Sequence, residues 1–323
     1  MKKVRFPKDE AVHSKGSEWW YFNGYLKSED NKEYSLMASF FKMDMMKNRP
    51  KFFLLPIKVG YLIHGHILDI KKKKFYPFYK HFIQKPHEKF TEKKFLCNHY
   101  RLASLKEFTK GIYHLYIKNK KYVLDLIIKA EKPPVLHGKK GLIDIGKGYS
   151  YYYSFTDMSI RGTLKIGDKI KQVEGIAWMD HQWGNFDLHD KQWDWLSIKL
   201  KNDIDIMAFK ILDKITQEVM LYTSLIDKNG KSKIIKDAKL KSTKNWKSRK
   251  TGIIYPLYWN LKIPSKKINL TIKPVFNEQE MHDGILKYWE GCCKVTGTFN
   301  KKRTKGRAYI ELVGHERLKS KLF

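Results

Sequence analysis

Twice in this chain an acid travels with tryptophan. Glu18 opens the run Glu18-Trp19-Trp20-Tyr21, and Asp180 follows Trp178-Met179 in a block that continues as Asp180-His181-Gln182-Trp183-Gly184. If both segments are strands, alternation places Glu18 and Trp20 on one face, and Trp178 and Asp180 on a face opposite Met179 and His181. Pairing of the first and last strands of a barrel would bring Glu18 and Asp180 near each other beside large apolar rings. A carboxyl group in that setting resists ionisation through desolvation, and through the second carboxylate when both are close, so one stays protonated near neutral pH. Such an acid can protonate an isolated double bond. Aromatic faces then stabilise the carbocation and water captures it, which is the chemistry of alkene hydration. On this reading Asp180 is the general acid, Glu18 and His181 support it, and His181 orients or deprotonates the water. Trp20, Trp178, Trp183, Trp195, Tyr288 and Glu290 are the expected substrate contacts.

A structural reading stands beside the catalytic one. An acid on a closing strand also accepts hydrogen bonds from indole N–H groups, and this applies to Asp180 and most of all to Glu311. The aromatics Trp19, Trp20, Trp193, Trp195, Trp289 and Tyr309 equally read as core or domain-interface packing. Other chemistries find less support. His64-Gly65-His66 would place two imidazoles on one strand face, with His13, His181, His189, His282 and His315 elsewhere, but no standard metal-ligand spacing appears and no metal is expected. The sequence has no Gly-x-Ser-x-Gly elbow, no cysteine beside a histidine and no phosphate-binding glycine loop. No cofactor is expected.

The elements that position these residues are repeated. Trp19 and Trp193 differ by 174 positions, as do Tyr21 and Trp195. Tyr153 and Arg161-Gly162-Thr163-Leu164 lie 135 positions before Tyr288 and Thr296-Gly297-Thr298-Phe299, and Gly175-Ile176-Ala177-Trp178-Met179-Asp180 lies 131 before Gly306-Arg307-Ala308-Tyr309-Ile310-Glu311. Similarity in fixed order with drifting offsets reflects loop insertions between retained strands, hence two tandem domains, expected at 1–187 and 188–323. Period-two alternation at 34–41, 122–128 and 268–272 predicts strands, and 119–121, 166–169 and 228–231 predict hairpin turns. A short helix is expected around Leu102 to Phe108. The fold class is all-β, built of antiparallel barrels.

Composition bounds the function. The net charge of +32 suggests nucleic acid, yet 8 of the 65 basic residues are arginine and 57 are lysine, spread along the chain. Arginine is the preferred residue for bidentate phosphate and base contacts, so nucleic acid is not an expected partner. Lys71 to Lys74 and the stretch from Lys236 to Lys250 read as solvated loops, with peripheral contact to an anionic membrane as the alternative. No apolar run reaches the ~18 residues of a membrane-spanning helix. The amino-terminal segment lacks the apolar stretch of a secretory signal, so a cytoplasmic protein is expected. The three cysteines, Cys97, Cys292 and Cys293, are expected as thiols.

Pro7-Lys8-Asp9-Glu10-x-x-His13, Glu18-Trp19-Trp20-Tyr21-Phe22-x-Gly24, Trp178-Met179-Asp180-His181-Gln182-Trp183-Gly184, Trp193-x-Trp195, Tyr288-Trp289-Glu290-Gly291 and Tyr309-x-Glu311-Leu312-x-Gly314 together resemble the lipocalin-like family of AttH and the carotenoid hydratases. The resemblance covers nearly the whole chain. It implies two consecutive lipocalin-like barrels, with relatives that hydrate carotenoid double bonds or guide ring-forming cycloadditions. Val313 stands where that family leads one to expect threonine. The reading is therefore a cofactor-independent enzyme acting on an apolar, isoprenoid or polyketide-like substrate by hydration, isomerisation or cyclisation at a double bond. The alternative is a non-catalytic protein that shelters a lipid or other hydrophobic small molecule.

Overall fold

The computed structural model describes residues 3–45, 58–82, 96–99, 102–146, 148–185, 190–284 and 286–316. The chain divides into two compact units, Met1–Asp187 with Asn229–Lys231, and Leu188–Lys228 with Ser232–Phe323. His189 and the side chain of Cys97 lie outside the described residues, whereas Cys292 and Cys293 are buried thiols.

The first unit begins with a single 3-10 turn, Lys8–Glu10. Its strands are β1 (Ser17–Ser28), β2 (Glu33–Asp44), β3 (Val59–Asp69), β4 (Lys74–Phe82), β5 (Leu96–His99), β6 (Ala103–Thr109), β7 (Ile112–Lys118), β8 (Tyr122–Ala130), β9 (Val135–Leu136), β10 (Leu142–Asp144), β11 (Tyr149–Ile166) and β12 (Lys169–Asn185). They form one sheet in the order β4-β3-β2-β1-β12-β11-β8-β7-β6-β5, with β9 and β10 added to β11. First and last strands thus pair, and the pairs along the sheet are antiparallel. The second unit comprises β13 (Lys191–Leu200), β14 (Asp205–Asp213), β15 (Val219–Ile226), β16 (Ser232–Ile234), β17 (Lys239–Lys247), β18 (Ile254–Ile263), β19 (Ile268–Pro274), β20 (Glu280–His282), β21 (Lys287–Phe299) and β22 (Lys302–Val313). Its order, β16-β15-β14-β13-β22-β21-β19-β18-β17, repeats that of the first unit strand for strand, and β5 alone lacks a counterpart on this path. Both sheets curl as half-barrels, so the fold is all-β as expected.

Registers make the repeat quantitative. Tyr21 pairs with Asp180 in the first unit and Trp195 with Glu311 in the second, which carries the offsets of 174 and 131 into matching rungs. One equivalence must be corrected. Tyr153 pairs with His181 and Trp289 with Leu312, so Tyr153 answers Trp289 rather than Tyr288. The cause is a bulge between Phe155 and Met158 that adds one residue to β11, a position no sequence offset distinguishes from a loop change. Beyond the bulge the offset of 135 holds. There an added Cβ on Gly162 or Gly297 would meet a neighbouring carbonyl oxygen, of Asp125 or Asn269, at 2.1 Å in each case, so both units use glycine for the same close strand approach.

The expected helix at Leu102 to Phe108 is instead β6. Leu102, Leu105 and Phe108 have helical spacing, but the buried residues are Ala103, Leu105 and Glu107, a period of two in which a buried acid hides the strand pattern. Part of the lysine-rich stretch is likewise the strand β17 rather than a loop, with Lys239, Lys241, Lys244 and Lys247 exposed. The inward faces are apolar: Phe22, Leu36, Leu126, Ile160 and Met179 belong to the first core, and Leu196, Leu257, Trp289 and Ile310 to the second. Each such large apolar side chain contributes about 1.5–3 kcal/mol when fully buried. No helix among the described residues is long and apolar enough to cross a membrane.

Candidate active site

The register of β1 on β12 decides which chemical groups meet. Glu18 pairs with Trp183, Trp20 with His181 and Phe22 with Met179, so these six side chains share the core face. Across β12, Tyr153 pairs with His181 and Tyr151 with Trp183, adding two phenols to that face. Tyr21, paired with Asp180, and Asn23, paired with Trp178, occupy the other face. Glu18 and Asp180 are therefore separated by the sheet, which corrects the expected apposition of the two acids. Alternation assigned each residue correctly to a face of its own strand, but register, set by the whole ladder, decided which faces coincide.

Glu18 is the centre of the inner cluster and has no solvent exposure. Its Oε1 lies 2.7 Å from His13 Nδ1 and 2.8 Å from His181 Nε2, and its Oε2 accepts the His13 backbone N–H at 2.8 Å. Burial disfavours the Glu18 carboxylate, but the hydrogen bonds from His13 and His181 and the fields of the two rings outweigh it and hold its pKa below the usual value. Burial drives the His181 pKa down, and Glu18 offsets only part of this, so His181 rests as neutral imidazole. With Nε2–H donating to Glu18, the remaining nitrogen Nδ1 accepts from the Tyr153 hydroxyl, 3.2 Å away. The second nitrogen of His13, Nε2, is 3.4 Å from Asp9 Oδ1, and the Lys42 ammonium donates to the His13 carbonyl.

Flat rings enclose this hub. His13 stacks on Trp183 with centroids 4.3 Å apart and planes at 7°, and His181 stacks on Trp20 at 4.4 Å. Tyr151 covers Trp183 at 5.3 Å, and Phe6 meets Tyr153 edge-on at 4.9 Å. Gly16 makes the approach of the His13 segment to the sheet feasible: its φ is +80°, and a Cβ there would stand 2.0 Å from the Gly184 carbonyl oxygen.

Asp180 heads a separate buried network on the opposite face. Trp178 Nε1 donates to its Oδ1 at 2.6 Å, the Ser154 hydroxyl donates to the same oxygen, and Tyr152 donates to Oδ2 at 2.9 Å. Ser154 Oγ also meets His137 Nε2 at 2.8 Å. Desolvation exceeds these bonds and pushes the Asp180 pKa up to about 7, while burial pushes His137 down to about 3. Both carboxylate oxygens are engaged by groups of the fold, the pattern of an acid that fixes strands.

The remaining expected contacts also lie away from the core face of their sheet. Trp195 pairs with Glu311 and Glu290 with Glu311, so these three share a face with Tyr288, while Leu196, Trp289, Ile310 and Leu312 point into the second core. Trp195, Tyr288 and Glu290 are buried. The second unit does not duplicate the hub: the rungs of Glu18, Trp20 and His181 carry Gln192, Asp194 and Leu312. There Trp193 Nε1 donates to Glu311 at 3.2 Å, and His315 Nε2 lies 2.8 Å from Asp194.

One donor atom each from His13, Glu18 and His181 lie within 4.8 Å of one another, the reach of a divalent cation. The separations of 2.7 and 2.8 Å between donors are shorter than the ~3.3 Å that zinc bonds of about 2.0 Å would set between tetrahedral ligands. The geometry is that of donors hydrogen-bonded to an acceptor. His64 and His66 do share one face of β3, both buried, with His66 held by desolvation at a pKa of about 3.

Sequence reasoning placed Glu18, His181, Trp20 and Trp183 in the site but gave Tyr151 and Tyr153 no chemical role. His13 enters the sequence reading as a possible metal ligand and as the end of the Pro7–His13 motif, without a role beside Glu18, although it stands five residues before that acid. The arrangement supplies a buried carboxylate, two imidazoles and flanking aromatic faces without solvent at the carboxylate, which suits proton transfer to an apolar molecule.

Known proteins share this architecture. An AttH protein of Nitrosomonas europaea superposes with a TM-score of 0.83 at 25% identity, over 98% of this chain and 98% of that one. Kievitone hydratase of Nectria haematococca has the same fold, with a TM-score of 0.80 at 17% identity over 96% of this chain and 93% of that one. The dehydratase AsqC of Emericella nidulans is 21% identical over 201 residues, 58% of this chain, and the match spans 57% of that protein's length. The AttH-like family model matches residues 1–315, and the chain belongs to the AttH-like family.

Proposed function

We propose that the first unit adds water to, or removes it from, a carbon–carbon double bond of an apolar substrate, with Glu18, His13 and His181 as the acid–base group. The observation that carries this reading is the unexposed Glu18 carboxylate held by two imidazoles between the faces of Trp20 and Trp183. In hydration the hub passes a proton to one alkene carbon, and the cation that develops on the other is stabilised by the adjacent rings. Water bonds to that carbon, and the proton it loses returns to the hub, so one water is consumed and no electrons are exchanged. Dehydration is the reverse. Tyr153 fixes the His181 tautomer, and Asp180 holds β11 against β12 behind the site through Ser154 and Tyr152. Similarity to a dehydratase and to the fold of a hydratase supports this reaction class.

The test is incubation of the purified protein with a lipid extract of its host in heavy-oxygen water, followed by mass spectrometry. A product carrying one heavy-oxygen water, absent with Glu18→Gln, is expected. A bound but unaltered lipid would instead identify a carrier, and an isomer of unchanged mass would move the assignment to cyclase or isomerase chemistry.

A further inference from the structure

The registers of the two units define equivalent rungs on their outward faces, aligned at Gly162 and Gly297. In the first unit Ser104, Tyr116, Asp125, Thr163 and Gln172 form one rung across β6, β7, β8, β11 and β12, and Lys106, His114, Ile127, Arg161 and Glu174 form the next. The same rungs of the second unit cross β17, β18, β19, β21 and β22. They are Lys239, Lys262, Asn269, Thr298 and Arg303, then Lys241, Asn260, Thr271, Thr296 and Lys305. These positions alternate with core residues such as Leu105, Leu126 and Ile160, or Leu261, Leu270 and Val295, and so face outward.

Charge separates the two faces. On these rungs the first unit sets the cations Lys106 and Arg161 against the acids Asp125 and Glu174, whereas the second has the cations Lys239, Lys262, Arg303, Lys241 and Lys305 and no acid. The following rung adds Lys273, Lys294 and Arg307 where the first unit has Lys129, Ser159 and Ile176. An even abundance of lysine would load both faces alike. Lys239 stands directly opposite Lys262, and Lys273 opposite Lys294, although like charges so placed repel. An anionic partner relieves that repulsion. The sheet curls around its core, so this face is convex and carries no groove to track a nucleic-acid strand, and neither of the first two rungs offers a ring for base stacking. Strands about 4.8 Å apart spread the amino groups in two dimensions, as lipid headgroups are spread. Further along β17 and β18, Lys247 opposes Ile254, an apolar side chain 45% exposed among these cations, which suits the headgroup boundary of a bilayer.

We propose that the outward face of β17, β18, β19, β21 and β22 docks on an anionic lipid bilayer, the phase in which an apolar substrate is held. The link to substrate rests on the hydration reading of the first unit, but the docking does not, and its test uses no turnover. The full chain is floated with vesicles of phosphatidylcholine alone and of phosphatidylcholine mixed with phosphatidylglycerol. Binding to the mixed vesicles only, weakening as salt is added, is expected. A variant with Lys241→Gln, Lys262→Gln and Lys305→Gln should bind about 100-fold more weakly, since each basic residue near such a surface contributes roughly five-fold. A control with Lys71→Gln, Lys72→Gln and Lys73→Gln, in the exposed turn between β3 and β4, removes the same charge and should leave binding nearly unchanged. Both variants alter exposed side chains and should melt as wild type does. Binding to neutral vesicles, binding to neither, or equal loss in the two variants would overturn the proposal. Tighter binding of a single-stranded oligodeoxynucleotide, lost in the first variant alone, would also overturn it by making nucleic acid the partner of this face.

Discussion

Glu18 and Asp180 occupy opposite faces of one sheet, because Glu18 pairs with Trp183 while Asp180 pairs with Tyr21. That relationship divides the two acids by role. Glu18 meets imidazoles in an aromatic enclosure, and Asp180 meets three donors of the fold.

Asp180 should behave as a structural acid. Asp180→Asn keeps acceptor oxygen for Trp178 and Ser154, so it should fold with little loss. Asp180→Ala strands three buried donors and should cost about 3 kcal/mol or more. Urea unfolding of both variants checks this, and equal stability of the two would contradict it.

Stability should fall as pH rises from about 6.5 to about 8. Asp180, Glu10 and Glu107 have folded pKa values raised to about 7, 8 and 7 from ordinary values of 3.8, 4.5 and 4.5, so in this window the folded chain holds protons that the unfolded chain has released. The unfolded state binds fewer protons, and the stabilisation drains away as these groups ionise. Below about 6.5 the sign is opposite for His66 and His137, lowered to about 3, whose contribution is lost as pH falls. Denaturant midpoints across the range should show the decline, and Glu107→Gln should flatten it.

The turn before β1 should matter more for activity than its size suggests. Gly16→Ala forces a side chain into positive φ and against the Gly184 carbonyl, and the segment it displaces carries His13. A loss of roughly 1–3 kcal/mol is expected from backbone strain, with a larger fractional loss of turnover. Wild-type stability and turnover in this variant would refute the positioning role.

Much of the fold was legible because strands kept their marks. Trp19 and Trp193, or Asp180 and Glu311, fall on equivalent rungs, as their offsets implied. What alternation cannot supply is register, and register is a property of two strands. The side-chain contact of Glu18 with His181 rather than Asp180 therefore lay beyond it. β6 was hidden for another reason: the buried acid Glu107 breaks the apolar period that reveals a strand. His13 and Glu10 precede the first strand, where no periodicity speaks.

Incorporation of heavy oxygen from water by wild type, Glu18→Gln and Asp180→Asn, all verified as folded, tests the division of roles most directly. The account predicts that Asp180→Asn retains incorporation within about ten-fold of wild type while Glu18→Gln loses roughly 100-fold or more, the usual contribution of a positioned acid–base group. Incorporation that survives Glu18→Gln and vanishes with Asp180→Asn would contradict it.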